Sequence, residues 1–134
     1  FERIQSSKRK GLQIIASFDG DMSAILRGQV HWVQLDPARG SEMAKRRPCV
    51  VLSASEINAH RRTVVVLPLT TTDTPAVFPL LVATPSVSPS SKVRIEHVRA
   101  IDKSRLSGHI IDMGEDDLAE IERALCRVLA IKAK

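Results

Sequence analysis

The sequence predicts a mainly β domain of the α+β class, in which a small, strongly bent sheet or barrel is capped by one C-terminal helix. Two observations predict it: five or so short apolar or alternating runs separated by turn-rich segments, and one amphipathic segment near the C-terminus. Strands and helices do not alternate along the chain, so the pattern does not favour a doubly wound parallel sheet. With 134 residues, the chain is long enough for one domain with its own core.

A basic loop separates the first two predicted strands. The apolar residues of Gly28–Leu35 predict one strand, and Cys49–Leu52 predicts a short buried strand. The turn-rich segment between them belongs to a region, Pro37–Arg62, with six basic residues against two acidic ones. Such a positive field suits a polyanion such as nucleic acid, and the alternative is an ordinary solvated surface.

Three more strands are predicted before the helix. Thr63–Leu69 is a β-branched run, Val77–Ala83 is a second apolar run, and Lys92–Val98 alternates between polar and apolar residues. Because proline cannot donate a hydrogen bond to a neighbouring strand, we expect Pro68 and Pro79 at strand edges or bulges.

The alternation within Lys92–Val98 predicts where its charged side chains point. Arg94 and Glu96 fall on one face of the strand, whereas Glu96 and His97 fall on opposite faces. We therefore expect only one of Glu96 and His97 to reach a shared site. The charge of Arg94 is expected to hold the neighbouring Glu96 carboxyl in its ionised form.

The C-terminal segment predicts an amphipathic helix. Its apolar residues recur at helical spacing, namely Leu118, Ile121, Leu125, Val128 and Leu129. Acidic residues begin the segment and basic residues end it, which complements the helix dipole, and Gly114 can serve as the N-cap. Cys49 and Cys126 show no zinc or redox spacing, so we expect buried or half-buried thiols.

The first 21 residues differ from the remainder of the chain. Met22 precedes the first strong strand pattern and would serve as a natural start. We interpret residues 1–21 as a leader, a tethered peptide or a vector-derived extension, and residues 22–134 as the folded domain. No apolar run approaches the length of a membrane span, so we expect a cytoplasmic protein with no membrane partner.

Several segments of the chain match one known family in order and spacing. They are Arg27–Val33, Leu35–Glu42, Arg46–Ser53, Leu67–Thr71, Phe78–Pro79 and Glu96–Leu106. From about Leu26 to Ile131, the sequence resembles the MazF/PemK/Kid family of toxin endoribonucleases, the mRNA interferases of type II toxin-antitoxin systems. The resemblance implies an SH3-like β-barrel with a C-terminal α-helix. It also implies sequence-specific cleavage of single-stranded RNA that needs no metal ion or other cofactor.

The resemblance implies two protein partners as well. One is a second copy of the chain, in a homodimer whose interface forms an RNA groove. The other is a cognate MazE- or PemI-like antitoxin with an acidic, flexible tail that lies over that groove. Metal-free cleavage by the RNA's own 2′-hydroxyl would leave a 2′,3′-cyclic phosphate and a 5′-OH end.

The family's catalytic arginine and threonine fall on Arg47 and Thr70. A guanidinium stays charged and binds phosphate oxygens in a fork, so Arg47 is expected to stabilise the reacting phosphate rather than to act as a base. Glu96 and His97 are the two candidates for the base. Glu96, which stands where the Kid branch has an aspartate, completes the predicted catalytic set. The predicted RNA-binding residues are Arg39, Glu42, Lys45, Arg46, Arg94 and His97.

One position departs from the Kid pattern: Ser41 stands where that branch has a histidine. Ser41 and the longer side chain of Glu96 keep an RNA-binding regulator with weakened catalysis as an alternative. A CcdB-like toxin, which has the same barrel and binds gyrase without catalysis, is a second alternative. The remaining histidines are expected to be structural or solvated, with His31 on the exposed face of the first strand. Trp32 is expected to pack in the core or in a dimer interface.

Overall fold

The computed structural model describes residues 24–35 and 46–132. Its elements in chain order are β1 (Gln29–Gln34), β2 (Arg46–Val51), α1 (Ser55–His60), β3 (Thr63–Thr71), β4 (Leu81–Ala83), β5 (Ser91–Arg94), β6 (Arg99–Asp102), β7 (Leu106–Asp112) and α2 (Glu115–Val128). Short 3₁₀ turns, Ile95–His97 and Lys103–Arg105, follow β5 and β6. No helix within the described ranges has both the length and the apolar character needed to cross a membrane.

The strands form one strongly bent antiparallel sheet. Its order is β4-β5-β3-β2-β1-β7, and β6 joins it by pairing with β3. The nine-residue β3 is shared: one edge pairs with β2, and the other pairs first with β6 and then with β5. Among the described strands, β4 and β7 do not pair with each other, so the barrel stays open. The predicted mainly β architecture with a C-terminal helix is confirmed.

Pro68 lies at the junction where β3 changes partner. It is opposite Cys49 of β2, but on its other edge β6 pairs only with residues 63–66 and β5 only with residues 69–71. Proline is therefore tolerated in a central strand because it falls in the gap between two partners. This gap is the origin of the site described below.

Apolar residues pack on both faces of the sheet. The larger core lies beneath α2 and includes Ile121 and Ala124 of the helix together with Ile95 of the first 3₁₀ turn. The smaller core, on the opposite face, consists of Val33, Leu35, Cys49, Val51, Val64, Val66 and Ile101. The predicted helix and its Gly114 N-cap are confirmed, except that Leu129 follows the helix and is exposed.

Helix α1 was not predicted, and it is anchored by a buried polar side chain. Asn58 is 1% exposed. Its Nδ2 donates to the carbonyl oxygens of Ile25 and Ser53, both at 3.1 Å, and its Oδ1 accepts from the Ser53 hydroxyl at 2.6 Å. The segment before β1 and the end of β2 are thereby fastened to α1.

Replacing Asn58 with alanine is expected to lower the free energy of unfolding by roughly 1–3 kcal/mol, because two backbone carbonyls and one hydroxyl lose a buried partner. Urea denaturation of both proteins would measure the change. A midpoint equal to that of the wild type would show that the three hydrogen bonds do not stabilise the fold.

Candidate active site

The candidate site begins on the face of the sheet that carries the smaller core. Val64 and Val66 of β3 belong to this core, so Pro68 and Thr70, at the same period of two, lie on that face too. Cys49 is opposite Pro68, and the same register continued along β2 brings Arg47 opposite Thr70. Directly opposed residues of antiparallel strands share a face. The predicted catalytic arginine and threonine are therefore cross-strand neighbours.

The 3₁₀ turn between β5 and β6 supplies the opposite wall. Ile95 is completely buried in the larger core and the turn packs against α2, while Glu96 and His97 are exposed. Two expectations were wrong. The strand ends at Arg94, so Glu96 does not continue its face, and Glu96 and His97 both reach the site rather than one alone. The reason is the 3₁₀ turn itself, which the Val98 N–H closes by donating to the Ile95 carbonyl oxygen at 3.3 Å.

These elements enclose an active-site cavity of about 500 Å³. It is lined by all three predicted catalytic residues, Arg47, Thr70 and Glu96, and by two of the predicted RNA-binding residues, Arg94 and His97. Apolar side chains complete its wall, namely Leu35, Pro68, Leu69 and Val98. Segments far apart in the sequence thus contribute to one site.

Sequence reasoning missed one charged residue of this cavity. Arg99, the first residue of β6, lines it and is exposed. The available signal was its place two residues after His97, within a segment that was already part of the family resemblance. The partner change along β3, which brings β6 to the cavity, could not be read from the sequence.

An adjoining cavity of about 570 Å³ shares Arg47, Leu69 and Thr70 with the first. Arg46 lines this second cavity, and its guanidinium lies 4.8 Å from the centre of the Trp32 ring. Trp32 is half-buried and belongs to neither core, so the expectation of core packing was wrong, and dimer packing stays a prediction.

Three predicted RNA-binding residues, Arg39, Glu42 and Lys45, lie outside the described residues, as does Ser41. Their roles stay predictions. The described chain before them is held in place, because Arg105 Nη1 donates to the carbonyl oxygens of Gln34 at 2.9 Å and Leu35 at 3.1 Å.

The polar side chains of the active-site cavity have no partners within the described ranges. None of the three arginines, the glutamate, the histidine or the threonine makes a side-chain hydrogen bond or an ion pair with another described residue. Three guanidinium groups around one cavity with a single carboxylate form a positive site. Their donors are available to phosphate oxygens, which guanidinium groups bind in a bidentate fork.

The thiol beneath the cavity is chemically inert. Burial raises the pKa of Cys49 to about 12, although the charges of Arg99 and Arg47 act in the opposite direction. The thiol therefore stays protonated near neutral pH and cannot act as a nucleophile. The expected buried and half-buried thiols are confirmed for Cys49 and Cys126. Within the part of the chain that the structure describes, no cluster of three or more His, Cys, Asp or Glu residues could hold a metal ion.

His31 is buried, contrary to expectation. It is 9% exposed because β7 pairs alongside β1 and the imidazole of His109, its cross-strand partner, lies 5.3 Å away between ring centres. Its Nε2 is 2.9 Å from Gln29 Oε1, and His109 Nε2 is 2.7 Å from Asp112 Oδ1. Burial lowers the pKa of His31, His109 lowers it further, and Asp112 opposes the change.

This burial predicts a loss of stability in mild acid. The unfolded chain protonates His31 near pH 6.5, whereas the folded chain does so only at lower pH. Neutral, buried His31 makes its full contribution to the free energy of unfolding above about pH 6.5. This contribution is lost as the pH falls through the pKa of His31 in the folded chain. We expect the free energy of unfolding to fall more steeply between pH 7.5 and pH 5 for the wild type than for His31→Gln. Parallel declines in urea denaturation would contradict this assignment.

The open antiparallel barrel, its C-terminal helix and its arginine-lined cavity define a small β domain with a positively charged site. Residues 26–129 match the profile of a family described as the PemK-like, MazF-like toxins of type II toxin-antitoxin systems. The chain belongs to this family. It is 32% identical over 110 residues to endoribonuclease MazF2 of Mycobacterium bovis and to endoribonuclease MazF6 of Mycobacterium tuberculosis, an alignment that covers 78% of this chain and 96% of each relative.

Solved structures show the same fold. The MazF chain of a MazE-MazF complex from Deinococcus radiodurans superposes with a TM-score of 0.70 at 27% identity, covering 81% of this chain and 98% of that one. An endoribonuclease from a mycobacterial species, solved with its cognate antitoxin, gives a TM-score of 0.66 at 26% identity, covering 84% and 100%. The expected family, its class of RNA-cleaving toxins and its fold are confirmed.

Proposed function

We propose that the active-site cavity cleaves single-stranded RNA without a metal ion, leaving a 2′,3′-cyclic phosphate and a 5′-OH end. The observation that carries this proposal is the meeting of Arg47, Thr70 and Glu96 in one cavity, with donors unoccupied by other described residues. The endoribonuclease names of the relatives support the same reaction.

Each residue has a role that suits its chemistry. Arg47 and Thr70 lie on the adjacent strands β2 and β3. They hold the non-bridging oxygens of the scissile phosphate and stabilise the charge that develops there. Glu96 takes the proton from the 2′-hydroxyl. His97, exposed beside it on the same turn, gives a proton to the departing 5′-oxygen.

The chain also has two proposed protein partners. Relatives of the same fold have been solved with MazE or a cognate antitoxin, which supports a MazE-like antitoxin for this toxin. An acidic antitoxin tail would neutralise the guanidinium groups that RNA requires. A homodimer is supported by the edge strand β7, on which Ile110 and Ile111 are 41% and 36% exposed.

Incubation of the purified protein with a long single-stranded RNA in excess EDTA tests the reaction. Cleavage at a short recurring sequence is expected. The downstream fragments should accept a 5′-phosphate label directly, as a 5′-OH end does, and the upstream fragments should resist 3′-end ligation until the 2′,3′-cyclic phosphate is removed. Intact RNA, or cleavage only when a divalent metal is restored, would contradict the proposal. Inhibition of gyrase without RNA cleavage would favour the CcdB-like alternative.

A further inference from the structure

Among the described residues, Arg99 is the one charged residue of the active-site cavity to which neither the sequence analysis nor the proposed chemistry gives a role. It begins β6 opposite Val66 of β3 and therefore lies on the same face of the sheet as Arg47 and Thr70. Its side chain is exposed and makes no hydrogen bond or ion pair with any other described residue. No described carboxylate pairs with this guanidinium, so its donors are available to an anion that enters the cavity.

The sheet sets the distance between Arg99 and Arg47. They lie on strands to either side of β3, about 10 Å apart across the sheet, and their partners Val66 and Thr70 are about 13 Å apart along it. The positive charges of Arg99 and Arg47 nevertheless both act to lower the pKa of the buried Cys49 thiol. The backbone positions of Arg99 and Arg47 are thus too far apart for both side chains to hold one pair of phosphate oxygens, although both residues line the same cavity.

We propose that Arg99 binds the RNA backbone phosphate next to the scissile one, and so aligns the strand across Arg47 and Thr70. This inference rests on the proposed function of the same cavity. Successive phosphates of an extended single strand can occupy the two guanidinium groups, with Pro68 as an apolar residue of the same cavity face. Arg99 is a substrate-positioning residue, while Arg47 acts on the reacting phosphate.

Arg99→Gln is expected to raise the KM about tenfold and to change kcat by less than about threefold, since a charge-assisted contact is lost from both the bound and the transition state. The slope of log affinity against log salt should fall by about 0.7, the contribution of one phosphate on a single strand. Arg99→Lys should retain this slope. Arg123→Gln is the matched control, because Arg123 lies on α2, which packs on the other face of the sheet.

Binding measurements separate this inference from the cleavage mechanism. An RNA with 2′-deoxyribose at the scissile position cannot be cleaved, so its Kd can be measured whether or not the protein is a nuclease. Neutral methylphosphonate at one of the two phosphates beside the scissile one should weaken wild-type binding about tenfold and should leave Arg99→Gln unaffected.

Two results would overturn the assignment. One is wild-type binding that is indifferent to methylphosphonate at both neighbouring positions, a test that requires no variant to fold. The other is a folded Arg99→Gln protein whose KM and salt slope equal those of the wild type, or whose only loss is in kcat. Failure of the wild type to cleave any RNA would instead contradict the proposed function, and the binding test of Arg99 would still stand.

Discussion

Arg47→Ala is expected to reduce the rate of RNA cleavage by about 10²–10³-fold or more, the usual cost of removing one preorganised donor from a developing oxyanion. The side chain is exposed and unpaired among the described residues, so the fold should tolerate its loss. Single-turnover cleavage of a labelled RNA in EDTA would measure the effect, and circular dichroism would confirm the fold.

Two variants sharpen the interpretation of Arg47. Arg47→Lys keeps the charge but not the bidentate fork, so we expect it to recover RNA affinity and little of the rate. Arg123→Ala, an exposed arginine on α2, should cleave at the wild-type rate. Wild-type cleavage by a folded Arg47→Ala protein would remove Arg47 from the mechanism.

Glu96→Gln is expected to lower the cleavage rate by about 10²–10⁴-fold, because glutamine occupies the same space but cannot accept the 2′-hydroxyl proton. The affinity for an uncleavable RNA should change little. The decline of kcat on the acidic side of the pH profile should also disappear, since the group that must be ionised is gone. A pH series of single-turnover rates would measure both effects.

Glu115→Gln is the control for this substitution, because Glu115 lies in the first turn of α2 and away from the cavity. A near-normal rate and an unchanged pH profile for Glu96→Gln would transfer the role of base to His97. His97→Gln should lose rate in either case, but it should abolish the acidic-side decline of kcat if His97 is the base and the alkaline-side decline if it is the proton donor. The two residues share one exposed turn, so the kinetics rather than their positions must separate them.

The sequence pattern was sufficient to predict elements whose conformation depends mainly on residues close to them in the chain. Helix α2 was predictable because its apolar stripe repeats every turn and its acidic start suits the helix dipole. Cys49 was predictable as a buried strand residue because it begins the apolar run Cys49–Leu52. The matches at Arg47 and Thr70 were informative for a different reason, namely their place in an ordered set of family segments.

Patterns misled where distant packing determined the local conformation. The alternation of Lys92–Val98 is that of a strand, yet β5 ends at Arg94 because a 3₁₀ turn follows it and brings β6 alongside β3. His31 alternates with apolar residues as an exposed strand position would, yet β7 and His109 cover it. In both cases the decisive neighbour is far away in the sequence.

The sequence by itself determined the family, the class of fold and the catalytic candidates Arg47, Thr70 and Glu96, since residue types in a fixed order specify these without coordinates. Only the tertiary structure decided that Glu96 and His97 share one exposed turn and that Arg99 joins them. The physical reason is the change of partner along β3. β6 pairs with residues 63–66 of β3 and β5 with residues 69–71, so Pro68 lies in a gap between these two partners, where the cavity forms. Pairing between strands so far apart in the chain leaves no signal in the local sequence.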